Sequence, residues 1–200
     1  MVSCTSSPTP RTVFFATPMP SVTASVSVPI TNPTFVYYSQ KDPRWAKITL
    51  TCSNGYKTRF TNRGCGETSF AMLMSTFVDP KYTPTLVLDD FYGYGYCVGT
   101  YSSYSVKMLG EQGFTVDGPI NDFGKVREYI KDGWFAWIHL EYYESNKKIG
   151  HEVIITGIDG NNNFIVADPY YGIGSIGEAK FPYKEKNITE LYILKPPKGE

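Results

Sequence analysis

An α+β fold is predicted for this chain by a change of period along it. Apolar residues recur at helical spacing between Cys65 and Lys131, and short β-branched or aromatic runs separated by Gly and Asn turns take over from Trp134. The length of 200 residues with 42% hydrophobic and 19% charged positions is enough for one globular domain and leaves little room for a second.

Residues 1–34 stand outside that plan. Nineteen of them are Ser, Thr or Pro, they hold six of the 14 prolines, and Arg11 is their only charge. Such a composition cannot bury enough apolar surface to offset its own ordering entropy, so 1–34 is predicted to be a tether, with residues 35–200 forming the domain. At Pro-rich stiffness it would reach up to roughly 90 Å.

The domain opens on a loop-like stretch from Tyr37 to Trp45. The first helix begins near Cys65, where Phe70, Leu73, Met74 and Phe77 form an apolar face until Pro80 stops it. Shorter helices are predicted at about Thr85 to Phe91, Ser103 to Glu111 (ended by Gly113) and Asp122 to Lys131, the last with Asp122 as N-cap and Phe123, Val126 and Ile130 as its stripe. Strands are predicted at Trp134–Leu140, Glu152–Ile158, Phe164–Ala167 and Leu191–Leu194.

Charge excludes some partners. The 19 basic and 19 acidic residues balance, so no single-sign field exists to grip a nucleic-acid backbone, and nucleic acid is not expected as a partner. No run of 18 apolar residues occurs, so no helix of this sequence spans a bilayer. The dispersed cysteines and two histidines lack zinc-ligand spacing, and Asp159-Gly160-Asn161-Asn162-Asn163 puts Phe164 where a calcium loop needs Gly and Tyr170 where it needs Glu. No metal or cofactor is assigned.

Two histidines and four cysteines narrow the search for chemistry. Cys65 sits in Arg63-Gly64-Cys65-Gly66, where glycines permit a sharp turn and close approach of backbone to a ligand. At a helix N-terminus the free N–H groups and the macrodipole favour a thiolate, and the same N–H groups can receive the oxyanion of a tetrahedral intermediate. Such a nucleophile needs an imidazole. His151 follows Gly150 and opens a strand; if Asp159-Gly160 is a two-residue hairpin turn, His151 stands opposite Asp168, which would orient it. Asn161-Asn162-Asn163 could lengthen that loop and shift the pairing. Asp168-Pro169 could equally be a strand terminator, and Gly-Cys-Gly alone could be a tight turn with a buried thiol. His139 shares a strand face with Phe135 and Trp137, lacks a carboxylate in a predictable register, and is expected to be structural.

The order Tyr38-Ser39-Gln40 with Asp42-Pro43-Arg44-Trp45, then Gly64-Cys65-Gly66-x-Thr68-Ser69, then Gly150-His151 and Ala167-Asp168-Pro169 resembles the C39-like group of papain-fold cysteine peptidases, over nearly all of residues 37–195. The resemblance implies a papain-like fold, in which a helical part led by the Cys65 helix packs on an antiparallel sheet. It also implies Cys65 as nucleophile, His151 as general base and acid, Asp168 as its orienting residue and Gln40 as a side-chain donor to the oxyanion hole. The sequence departs from the pattern at Glu67, where the motif commonly has Pro or a small residue and where a negative charge in the first turn would favour the helix but could oppose a thiolate, and in a longer stretch from Lys47 to Asn62 than papain has.

The function expected is hydrolysis of peptide or other amide bonds through an acyl-thioester on Cys65, by a stand-alone monomer acting on a peptide or protein substrate. Transamidation on the same site and a non-catalytic tethered binding module are the alternatives. For the module, the tyrosine-rich stretch from Phe91 to Tyr96 with Tyr101 and Tyr104 would present aromatic faces, its other reading being a packed loop. Met1-Val2-Ser3-Cys4 resembles the end of a bacterial lipoprotein signal, which implies an extracytoplasmic location with membrane attachment through a lipid on Cys4; an incidental Cys is the equal alternative. A disulfide between Cys52 and Cys97 would suit an exported chain, though sequence does not fix connectivity.

Overall fold

The structure, a computed structural model, describes residues 34–52, 54–93 and 102–197. Residues 1–33 of the expected tether, Cys4 among them, and Tyr94, Tyr96, Cys97 and Tyr101 lie outside the described residues. The chain folds as β1 (Thr49–Thr51), β2 (Lys57–Arg59), α1 (Phe60–Arg63), α2 (Cys65–Phe77), α3 (Pro84–Val87), α4 (Ser102–Glu111), β3 (Thr115–Asp117), α5 (Phe123–Lys131), β4 (Phe135–Glu144), β5 (Lys147–Ile158), β6 (Phe164–Asp168), β7 (Gly172–Ser175) and β8 (Ile188–Lys195). Helices combine with antiparallel sheet, as an α+β class requires.

Strands β3 to β8 form one sheet in the order β3-β8-β4-β5-β6-β7 with every pairing antiparallel, and β1 and β2 form a separate ribbon. Alternation along β4 sorts the core into two layers. Phe135 and Trp137 join Ile154, Ala167 and the apolar residues of α2 and α4 on one face; Ala136, Ile138, Leu140 and Tyr142 join Val153, Ile155, Val126 and Ile130 on the other. Helix α5 therefore covers the face opposite α2. Strand β5, covered on both sides, is buried continuously from His151 to Thr156, which is why Val153, Ile154 and Ile155 follow one another without a polar residue between them.

Helix α2 is buried all round from Gly66 to Ser75, not only along the expected stripe. Its polar residues are absorbed internally: Thr68 Oγ1 donates to Gly64 O at 2.6 Å and Ser69 Oγ to Glu152 O on β5 at 3.2 Å. The helix predicted at Thr85–Phe91 is instead the short α3 followed by a π-helical turn, Leu88–Tyr92. Thr83 caps α3 and Pro84 takes its first position, while Gly93 at φ 60° ends the wide turn. Tyr92, counted in the tyrosine-rich stretch, is buried against Phe70 with its hydroxyl on Ser105 Oγ at 2.7 Å; of the two readings of that stretch, packing holds for this residue.

Two hairpins position the site. Strands β4 and β5 run longer than predicted because Ser145 and Asn146, both at positive φ (48° and 62°), make a two-residue turn that pairs Glu144 with Lys147. Strands β5 and β6 pair in a register different from the one expected for an Asp159-Gly160 turn: Ile158 lies opposite Phe164, not Asn161. The loop spans five residues because the Asp159 carboxylate accepts hydrogen bonds from the N–H groups of Asn161 and Asn163, and Asn162 takes φ 65°.

Candidate functional site

Cys65 stands where two helices meet. Gly64 ends α1, donating its N–H to Phe60 O at 2.7 Å, and also precedes the first residue of α2. A Cβ at Gly64 would lie 2.4–2.6 Å from the Phe60 ring, so only glycine lets the chain turn tightly enough to bring the thiol to the start of α2. Cys65 is partly exposed and is a free thiol, whereas buried Cys52 is disulfide-bonded. The Cys52–Cys97 pairing considered above falls on Cys97, outside the described residues.

His151, on β5, lines the same cleft as Cys65. Its Nε2 lies 2.9 Å from Asp168 Oδ1, which leaves Nδ1 as the ring nitrogen for the sulfur, and the ring interacts electrostatically with Cys65. Burial disfavours the imidazolium, but the charge and hydrogen bond of Asp168, together with those of the sulfur, outweigh it and raise the ring's pKa to about 10. Asp168 is wholly buried and holds four partners: His151, the N–H groups of Tyr170 and Tyr171 at 2.6 and 2.9 Å, and the Tyr183 hydroxyl. Burial alone would raise its carboxyl; the His151 cation and these donors hold it below the ordinary carboxylate range. Asp168 thus accepts the hydrogen bonds that close the turn after β6 and also stands within hydrogen-bond distance of the imidazole. Within the shifted register the two residues are not directly opposed; they meet diagonally at the end of β6.

Gln40 reaches the cleft from the N-terminal loop. That loop is docked on the Asp168 turn: Gln40 N and Ser39 Oγ donate to Pro169 O, and Tyr37 Oη donates to Asp168 O. The Gln40 side chain is buried, with Nε2 donating to Thr61 O at 2.8 Å, which fixes the amide's orientation and leaves its second N–H for the cleft. Gln40, Cys65 and His151 line one cleft of about 240 Å³ together with Asn62, Arg63, His139, Tyr142, Glu144, Tyr170 and Tyr171. The structure thus brings all four expected side chains to a single place. At the rim, Lys41 Nζ sits 4.0 Å over the Tyr170 ring.

Two residues differ from the sequence reading. His139, expected to be structural and without a carboxylate, lies directly across from Glu152, with Nδ1 2.7 Å from Oε1, and lines the cleft. The missed signal was the Ser145-Asn146 turn, which sets that register. Glu67, expected to place a negative charge in the first turn of α2, is fully buried with no hydrogen bond to either oxygen, and burial with help from Glu152 pushes its carboxyl up to about 7. Below neutrality it is uncharged and does not oppose a thiolate.

Ionising Glu67 within the fold carries an energetic cost. A folded pKa above the unfolded value means the stabilising protonated form is fully present at pH 4.5 and below and is lost as pH rises through about 7. Glu67→Gln is therefore expected to gain on the order of 3 kcal/mol over wild type at pH 8, with the gain vanishing towards pH 4.5. Urea unfolding at both pH values checks this.

The model of the Peptidase_C39 like family matches residues 34–193. No curated protein matches the chain.

Proposed function

The chain belongs to the Peptidase_C39 like family, and from that premise we propose that it is a thiol-dependent hydrolase cleaving peptide or other amide bonds through an acyl-thioester on Cys65. Membership supports a cysteine-peptidase type of hydrolase. The observation that carries it is His151 held between a buried carboxylate and the only free thiol among the described residues. A cysteine-bearing helix end facing a sheet that carries His and Asp also supports a papain-like arrangement.

In this reading the Cys65 sulfur attacks the scissile carbonyl. The oxyanion is met by the Cys65 backbone N–H and the free N–H of Gln40 Nε2. His151 gives its proton to the leaving amine nitrogen as the C–N bond breaks, leaving an acyl-thioester. The neutral imidazole then takes a proton from water as the water oxygen adds to the thioester carbonyl; collapse breaks the C–S bond, releasing the acid and restoring the thiolate–imidazolium pair. Asp168 keeps its charge throughout and stabilises the imidazolium.

Alkylation tests this without knowledge of the substrate. With His151 cationic up to about pH 10, Cys65 is expected to react with iodoacetamide at pH 6 on the order of 100-fold faster than an ordinary thiol. The rate of that reaction is the readout. In His151→Ala it should fall to that of an ordinary thiol and rise with pH. Wild-type labelling no faster than a free thiol would instead favour a binding module.

A further inference from the structure

The cleft beside Cys65 holds a second imidazole that the mechanism above does not use. His139 Nδ1 is committed to Glu152, and Glu152 is itself a rigid acceptor: it is 2% exposed, takes the Trp137 indole N–H on Oε2, and has Ser102 Oγ at 3.2 Å from both oxygens. The opposite edge of the ring lies over Gly150, where a Cβ would come within 3.1 Å of Cε1 and 3.4 Å of Nε2. The glycine preceding His151 is thus what lets His139 sit in the cleft wall. About a quarter of the His139 side chain is exposed.

Its surroundings favour the cation. The hydrogen bond that the ring donates to Glu152 raises its pKa, burial opposes this, and the charges of Glu152, Glu190 on β8 and Glu141 on β4 add to the rise. Glu141 is itself paired with Lys148 at 2.8 Å, and Glu67 on α2 is uncharged below neutrality. Arg63, from α1, opens into the same cleft. Among the described residues neither the Arg63 guanidinium nor His139 Nε2 has a hydrogen-bond or ion-pair partner, and Glu144 is the exposed carboxylate in the lining. Two donors of positive charge in the lining of the thiol's cleft are left for something anionic.

We propose that His139 and Arg63 form a carboxylate-binding subsite beside Cys65, so that the protein selects acyl donors carrying an anionic group near the bond that is cleaved. This rests on Cys65 being the reacting centre, and it deepens that reading by naming a substrate class. The carboxylate could belong to an acidic side chain or to a chain terminus, and both sources offer the same two oxygens.

The test uses three bromoacetyl probes on the whole protein: bromoacetyl-glutamic acid α-amide, bromoacetyl-glutamine with a free α-carboxylate, and the neutral bromoacetyl-glutamine amide. At pH 6 one charged probe is expected to alkylate Cys65 about tenfold faster than the neutral one, and which of the two does so identifies the source. His139→Gln should bring the charged-to-neutral ratio close to one, and in wild type the ratio should decline as pH rises through the His139 titration. A ratio near one in wild type, or an elevated ratio that survives in His139→Gln, overturns the subsite. Loss of both rates in equal proportion, with the ratio intact, also overturns it and marks His139 as structural. Slow reaction of every probe speaks against the hydrolase reading itself. In that event the imidazole resonances of His139 decide the subsite, which requires N-acetylglutamate to shift them and the neutral N-acetylglutamine amide to leave them in place.

Discussion

Cys65→Ala is expected to lower kcat/KM by about a million-fold, to the level left by binding and oxyanion contacts alone. The thiol is only partly buried at the start of α2, so its removal opens no core cavity and the variant should unfold at a denaturant concentration close to that of wild type. His151→Ala should cost nearly as much, and the double variant little more than either, because sulfur and imidazole act as one unit. Steady-state kinetics on a peptide found by library profiling, with urea unfolding as the control, measures both expectations. Additive losses in the double variant would mean that the two side chains do not work together.

Asp168→Asn carries the second large effect, a fall in kcat of about 10⁴-fold. The carboxylate receives the His151 proton on Oδ1, fixing the tautomer that leaves Nδ1 for sulfur. An amide in its place can present N–H to the ring and turn that tautomer round. Asp168→Ala adds a structural loss, because it strands the Tyr183 hydroxyl and the N–H groups of Tyr170 and Tyr171 in a buried turn. The expected destabilisation is about 3–5 kcal/mol at neutral pH. Its sign with pH follows from the depressed carboxyl: the stabilisation is fully present above the ordinary carboxylate range and is lost as pH falls through the lower folded value. The deficit of Asp168→Ala should therefore shrink in acid, and denaturation at pH 7 and pH 3 separates it from a constant packing loss.

The parts of this molecule that could be read from sequence are those written in local chemistry. Gly64-Cys65-Gly66 before an apolar run placed the thiol at the start of a helix, and the short β-branched runs placed the main strands. What escaped depends on turns without a strong residue signature. Ser145-Asn146 has no glycine, so the distal halves of β4 and β5 were missed, and with them the pairing of His139 with Glu152. Asp159-Gly160 has a strong hairpin signature, yet the following asparagines complete an Asx-type loop and move the register. The contact between His151 and Asp168 was anticipated from a register that does not occur; it forms because residues two apart on one strand share a face and the carboxylate sits at the strand's end. The four-residue strands and shorter ones carry too little periodicity to be recognised. Glu67 escaped for another reason: burial, which decides whether a carboxyl is charged, is a property of the packed helix and not of the motif.

Rapid mixing with an activated ester such as p-nitrophenyl acetate, followed by acid quench and intact-protein and peptide mass spectrometry, asks whether a covalent acyl group forms and where. Hydrolysis through a thioester requires one acyl group per molecule on residue 65, released by hydroxylamine and absent from Cys65→Ala. Turnover of the ester with no such adduct under single-turnover conditions, or an acyl group on any other residue, would contradict it.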